Sequence, residues 1–155
     1  VVRIGTHAVS RGSRTTLWNR LKAHKGTNNL TGNHRGSVFR KLVGSAFINK
    51  YDLKVKFPEW GIGSSAKREI RNHEKEMEIE VSNIIGNMSF LVLNVPGESS
   101  AYNDRAYIES NAIALLSNHG KDSLDPPSDE WLGYYSSHPD IISSGLWNSR
   151  DTRKA

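Results

Sequence analysis

The 155-residue chain contains no cysteine. That excludes a disulfide framework and any thiolate metal site, and it suits a reducing compartment such as the cytoplasm. Long hydrophobic runs are lacking too: the stretch Phe90 to Val95 is far too short to span a bilayer, and no signal-peptide pattern opens the chain. The expectation is a soluble, cytoplasmic protein with no membrane partner. Several enzyme signatures are missing as well, among them a phosphate loop ending in Gly-Lys-Ser/Thr, Gly-x-Ser-x-Gly and His-Glu-x-x-His. Gly61-Ile-Gly63 is a turn rather than a dinucleotide fingerprint, and His34, His73, His119 and His138 are too scattered for a zinc site. Without repeats or low-complexity linkers, the length predicts one domain over residues 1–155 with an irregular extension over residues 120–155.

Acidic residues are scarce in the first third. Residues 1–56 hold twelve Lys/Arg against the single acid Asp52, a balance of +11, while residues 57–155 hold nine Lys/Arg against fifteen acids, a balance of −6. The overall +5 therefore hides a local surface suited to a polyanion. The plain alternative is a solvated basic face.

Apolar spacing gives the elements. Val1 to Gly5 reads as a short strand, from the middle of which the chain starts, so that upstream residues are expected. Thr15 or Thr16 caps a helix that stops at Gly26, with Arg20 and His24 one turn apart on the border of its Leu17/Leu21 stripe. After the polar loop Gly26 to Gly36, Ser37 caps a helix over Val38 to Asn49 with Val38, Leu42 and Ala46 inward. Lys54 to Phe57 reads as a short strand, Ala66 to Ile85 as one long charged helix started by Ser64 or Ser65, and Met88 to Val95 as the best strand in the chain. Asp129 to Tyr135 reads as a short helix, and Trp131, Tyr134, Tyr135 and Trp147 are aromatics that fasten the tail. The fold class expected is α/β or α+β, a small antiparallel sheet flanked by helices.

Asn103 to Asn118 reads as a capped helix whose apolar stripe, Ala106, Ile113 and Leu116, has Glu109 in its middle. An ionised carboxylate there is costly unless a cation or metal compensates it. Together with a basic first third and an Arg and a His on one helix, Glu109 completes a set suited to phosphodiester hydrolysis. That reaction needs a carboxylate for a divalent cation, a guanidinium for the phosphate oxygens and an acid/base near the attacking or leaving oxygen. The plain alternatives are a structural Glu109–Arg20 ion pair and a His24 held by the helix dipole. The turn His34-Arg35-Gly36-Ser37 suits a DNA phosphate as well as a helix start.

These residues resemble a known family. Arg3-Ile4-Gly5-Thr6-His7, followed by Leu17-Trp-Asn-Arg20-Leu21-Lys-Ala-His24, looks like the second half of the GIY-YIG nuclease signature, and Glu109 matches the family's metal-binding glutamate. A His one turn after the Arg is similar to a restriction-enzyme-like subgroup. The resemblance covers roughly Val1 to Asn118. It implies a metal-dependent endonuclease in which Arg20 stabilises the phosphate, Glu109 holds one Mg²⁺ or Mn²⁺ and His24 assists proton transfer. Arg3, His7, Arg14, Lys22, His34, Arg35 and Asn118 would then bind the substrate, DNA or alternatively RNA. Two departures stand out: the tyrosine of the second motif is Arg3, which cannot act as a phenolate base, and the first motif is not in this chain. The rivals are a noncatalytic nucleic-acid-binding module on the same scaffold and a domain whose basic face binds an acidic protein.

Overall fold

The computed structural model describes residues 2–27, 29–100 and 102–154; Val1 of the expected first strand, Asn28 of the polar loop and Ala155 lie outside them. Among the described residues the elements are α1 (Leu17–Lys25), α2 (Val38–Lys50), α3 (Arg68–His73), α4 (Lys75–Gly86), α5 (Asp104–Leu116) and α6 (Pro139–Ser144), with short 3₁₀ turns at His34–Gly36 and Leu132–Tyr135 and no β-strand. The expected α/β or α+β class with an antiparallel sheet is thereby corrected. The physical reason is pairing: a strand persists only where its backbone groups meet a neighbour's and one of its faces is covered. Met88 to Val95 has neither: it forms no regular element, and Leu91 is 99% and Leu93 69% exposed. Lys54 to Phe57 curls into turns, the Phe57 N–H donating to the Leu53 carbonyl at 3.0 Å.

The chain forms two compact units. The first comprises Val1–Arg20, Leu91–Tyr134 and His138–Ala155, the second Leu21–Phe90 and Tyr135–Ser137.

The second unit is built by α2 and α4. Ser37 caps α2, its hydroxyl accepting the Arg40 N–H at 3.3 Å. Of the expected inward stripe Ala46 is buried, but Val38 is 58% exposed, and the buried face is completed by Phe39 and Val43 with Arg40 among them. Met77, Val81 and Ile85 on α4 complete the apolar core, with Phe57 and Trp60. The long helix expected over Ala66 to Ile85 is divided at Glu74, and it starts at Lys67 without a side-chain cap rather than at Ser64 or Ser65. Glu74 is buried where the two helices meet and gives its carboxylate to Arg35 in a two-pronged pair, Nη1 to Oε2 at 2.5 Å and Nη2 to Oε1 at 2.9 Å.

Between α2 and α4 lies a buried polar network. Arg40 is fully buried and donates from Nε and Nη2 to Glu78 Oε2, from Nη2 also to the Glu78 carbonyl and Ser82 Oγ, and from Nη1 to the His24 carbonyl. Glu78 Oε1 accepts the backbone N–H of His34 at 2.6 Å and meets its Nδ1 at 2.9 Å. The Gly61 N–H donates to His34 Nε2 at 3.1 Å, which makes that nitrogen an acceptor and leaves the ring proton on Nδ1, facing Glu78. The same ring stacks on Trp60 with centroids 3.8 Å apart. Burial pulls the Glu78 pKa up, but the His34 side-chain and backbone N–H groups and Arg40 outweigh it and hold the carboxyl below its usual range.

The first unit packs α5 and α6 around Ile113, Trp131, Ile141, Leu146 and Trp147, the two indoles meeting edge to face at 5.4 Å. Asn103 caps α5 as expected, accepting the Ala106 N–H at 2.9 Å.

Candidate active site

The site grows out of the first unit's opening segment. Val2 to Ile4 runs extended along the tail: the Trp147 N–H donates to the Val2 carbonyl at 2.8 Å, and the Arg3 Nη1 donates to the Trp147 carbonyl at 2.8 Å. The Asn148 side chain takes the place of a strand partner at Ile4, accepting its N–H at 3.0 Å and donating to its carbonyl at 2.8 Å. Trp147 and Asn148 are themselves buried, so the segment is held firmly enough to present Arg3 and Thr6.

What it is presented to is Glu109. The Thr6 backbone N–H donates to the Glu109 carboxylate, and Arg3 and Arg20 act on it as nearby positive charges. Burial raises the Glu109 pKa, Arg3, the Thr6 N–H and Arg20 pull it down, and Asp151 adds a second carboxylate that raises it further; the net direction is upward. Arg3 responds in the opposite sense. Burial first and repulsion from Arg20 second lower its pKa to about 10, against the attraction of Glu109. It remains a cation at neutral pH. Arg20 itself is exposed on α1, whose first turn is tied by Thr16 Oγ1 accepting the Asn19 N–H at 3.1 Å.

The sequence-derived site residues thus divide. Arg3, Arg20 and Glu109 fall together, and Thr6 and Asp151 join them unforeseen. His7 is half-buried and Arg14 exposed in the same unit. Asn118 is held in a loop, its Oδ1 accepting from Ser123 Oγ at 2.7 Å and its N–H donating to the Ser144 carbonyl at 2.9 Å. In the second unit, Lys22 is exposed, and the His24 Nδ1 sits 2.7 Å from Ser37 Oγ with the ring edge-on to Phe39. There too His34 is buried with both ring nitrogens engaged, and Arg35 is committed to Glu74 and to the Glu59 and Ile62 carbonyls.

The donor set around Glu109 is compatible with a hard divalent cation. An oxygen ligand whose anionic form is disfavoured by burial and by a second carboxylate is stabilised by an incoming positive charge. Among the described residues no group of three or more His, Cys, Asp or Glu forms a cage, so an ion here would keep much of its water.

A half-buried carboxylate flanked by two guanidiniums is an arrangement suited to an anionic ester. Comparison with known proteins agrees: the GIY-YIG domain family matches residues 1–155, and the chain belongs to that family. At the family level this means nuclease-type cleavage of DNA, generally with a divalent metal. No curated protein and no solved structure matches the chain. Among the described residues no helix is long and apolar enough to cross a membrane.

Proposed function

We propose that the protein is an endonuclease that hydrolyses DNA phosphodiester bonds at Glu109, Arg3 and Arg20. The observation that carries this reading is the convergence of the two guanidiniums on one carboxylate whose pKa is nevertheless raised. Glu109 would hold one Mg²⁺ or Mn²⁺, which when bound supplies Lewis-acid stabilisation of the phosphate. The Thr6 N–H orients the carboxylate. Arg20, exposed, binds the phosphate oxygens as negative charge develops on them, and Arg3 holds the flanking phosphate in register. The family resemblance alone assigns proton transfer to His24, one turn beyond Arg20 on α1. The basic first third supplies affinity that falls with salt. In a cleavage assay on duplex DNA with Mg²⁺ or Mn²⁺, Arg20→Ala should lower the rate by two or more orders of magnitude with the circular dichroism spectrum unchanged. Unaltered cleavage by that variant would refute its role.

A further inference from the structure

The second unit contains a cavity of about 350 Å³ lined by Thr31, Gly32 and Asn33 of the loop after α1, by Arg68, Arg71, Asn72 and Lys75 of α3 and the start of α4, and by Arg35 with the buried Glu74 and Glu78. Its charges are not equivalent. Glu74 is matched by the Arg35 fork, and Glu78 by Arg40 and the His34 N–H groups. Both carboxylates and Arg35 are therefore engaged within the protein. Arg68, Arg71 and Lys75 are exposed, and no carboxylate of the lining is left to answer them. Arg68, Arg71 and Asn72 follow the i, i+3, i+4 spacing of one helix face, which aims two guanidiniums and an amide into the same space.

The loop part of the wall is fixed. The Thr27 N–H donates to the Thr31 carbonyl at 2.8 Å and the two threonine hydroxyls meet at 2.7 Å. Gly32 lies so close to the Arg40 guanidinium that a Cβ there would fall on Arg40 Cζ and Nη2. The loop is clamped onto a buried, charged side chain, so the cavity has a defined wall before any ligand arrives.

The geometry points to this cavity as a second phosphate site, one that takes a nucleic-acid backbone phosphate and is separate from the Glu109 site. Uncompensated arginines beside amide and hydroxyl donors match the forked, multi-acceptor geometry of a phosphate better than that of an isolated peptide carboxylate. The site rests on the reading of DNA as substrate but not on cleavage, so its test is run without turnover. Binding of a fluorescent duplex would be measured by anisotropy in a chelator, over a range of salt, for the protein and for Arg68→Gln/Arg71→Gln. Both positions are exposed, and thermal melting would confirm an intact fold. The double variant should bind several-fold more weakly, with the slope of log affinity against log salt reduced by about two, roughly 0.9 for each phosphate no longer neutralised. The rate of cleavage at saturating DNA should be unchanged. The control Lys67→Gln/Lys121→Gln removes two exposed cations that lie outside the basic first third and do not line the cavity. Unchanged affinity and slope in the arginine variant, or an equal loss in the control, would overturn the site. So would displacement of the duplex from the unaltered protein by poly-glutamate as readily as by unlabelled DNA. Failure of cleavage with the binding loss intact would instead count against the nuclease reading alone.

Discussion

Arg40→Met isolates the interaction on which the second unit depends most. Methionine has nearly the length of the arginine stem but no donors, and Arg40 is completely buried. The change removes donations to both the carboxylate and the carbonyl of Glu78, to Ser82 Oγ and to the His24 carbonyl. Glu78 keeps the two His34 donors on Oε1, but Oε2 is left with a buried charge and no cation. Removing one member of a buried pair costs about 3–5 kcal/mol, a large share of the roughly 5–15 kcal/mol that holds a typical domain together. Urea denaturation followed by far-UV circular dichroism would measure it, since α2 and α4 supply much of this unit's helix. The second variant, Arg40→Met/Glu78→Gln, neutralises the stranded carboxylate and should recover part of the loss, a coupling of up to about 3 kcal/mol. A cost below about 1 kcal/mol for the single variant, or a double variant less stable than the single, would show that the Arg40–Glu78 pair does not hold this unit together.

Two further outcomes follow from the same geometry. Glu109 has a raised pKa, so the folded protein binds its proton more tightly than the unfolded chain; stability from that site is fully present below the unfolded carboxyl pKa of about 4.3 and is lost as pH rises through the folded value. Glu109→Gln should therefore melt at or above the unaltered protein's temperature at pH 7, with the difference closing as pH falls below about 4, and a melting temperature lowered by several degrees at pH 7 would mark Glu109 as a structural anchor instead. Gly32→Ala would drive a methyl group onto the Arg40 guanidinium and should cost about 1–3 kcal/mol, while Gly36→Ala, whose methyl meets only Asn33 Nδ2 at 3.9 Å, should be neutral in the same denaturation experiment.

The helices are legible in the sequence because their ends are chemically marked. Thr16, Ser37 and Asn103 are caps with hydroxyl or amide acceptors, and Gly26, at φ +86°, ends α1 where a residue with a side chain would be strained. Glu109 is legible as a charge in an apolar stripe. The same signal exists for Arg40 beside Phe39 and Val43, and for Glu74 and Glu78 beside Met77 and Val81, but it is hidden. Setting the α2 stripe on Val38 and Leu42 turns Arg40 outward, and reading Ala66 to Ile85 as one helix makes its acids a solvated face. The sheet is misread because an apolar run such as Phe90 to Val95 records β-propensity and not the presence of a neighbour. Thr6, Asn148 and Asp151 have no local signature. Their contributions are a backbone N–H, a side-chain bridge to Ile4 from 144 positions away, and a charge brought in by the tail, and all three depend on tertiary structure.

The role proposed for the Glu109 carboxylate is that of a metal-binding group in a nuclease. Cleavage of supercoiled plasmid by the protein, titrated with Mg²⁺ or Mn²⁺ beside Glu109→Gln, tests it most directly. The unaltered protein should nick the plasmid in a metal-dependent way, and the glutamine variant should lose this at every metal concentration while its circular dichroism spectrum and DNA affinity in chelator are retained. Equal nicking by the two proteins would contradict it.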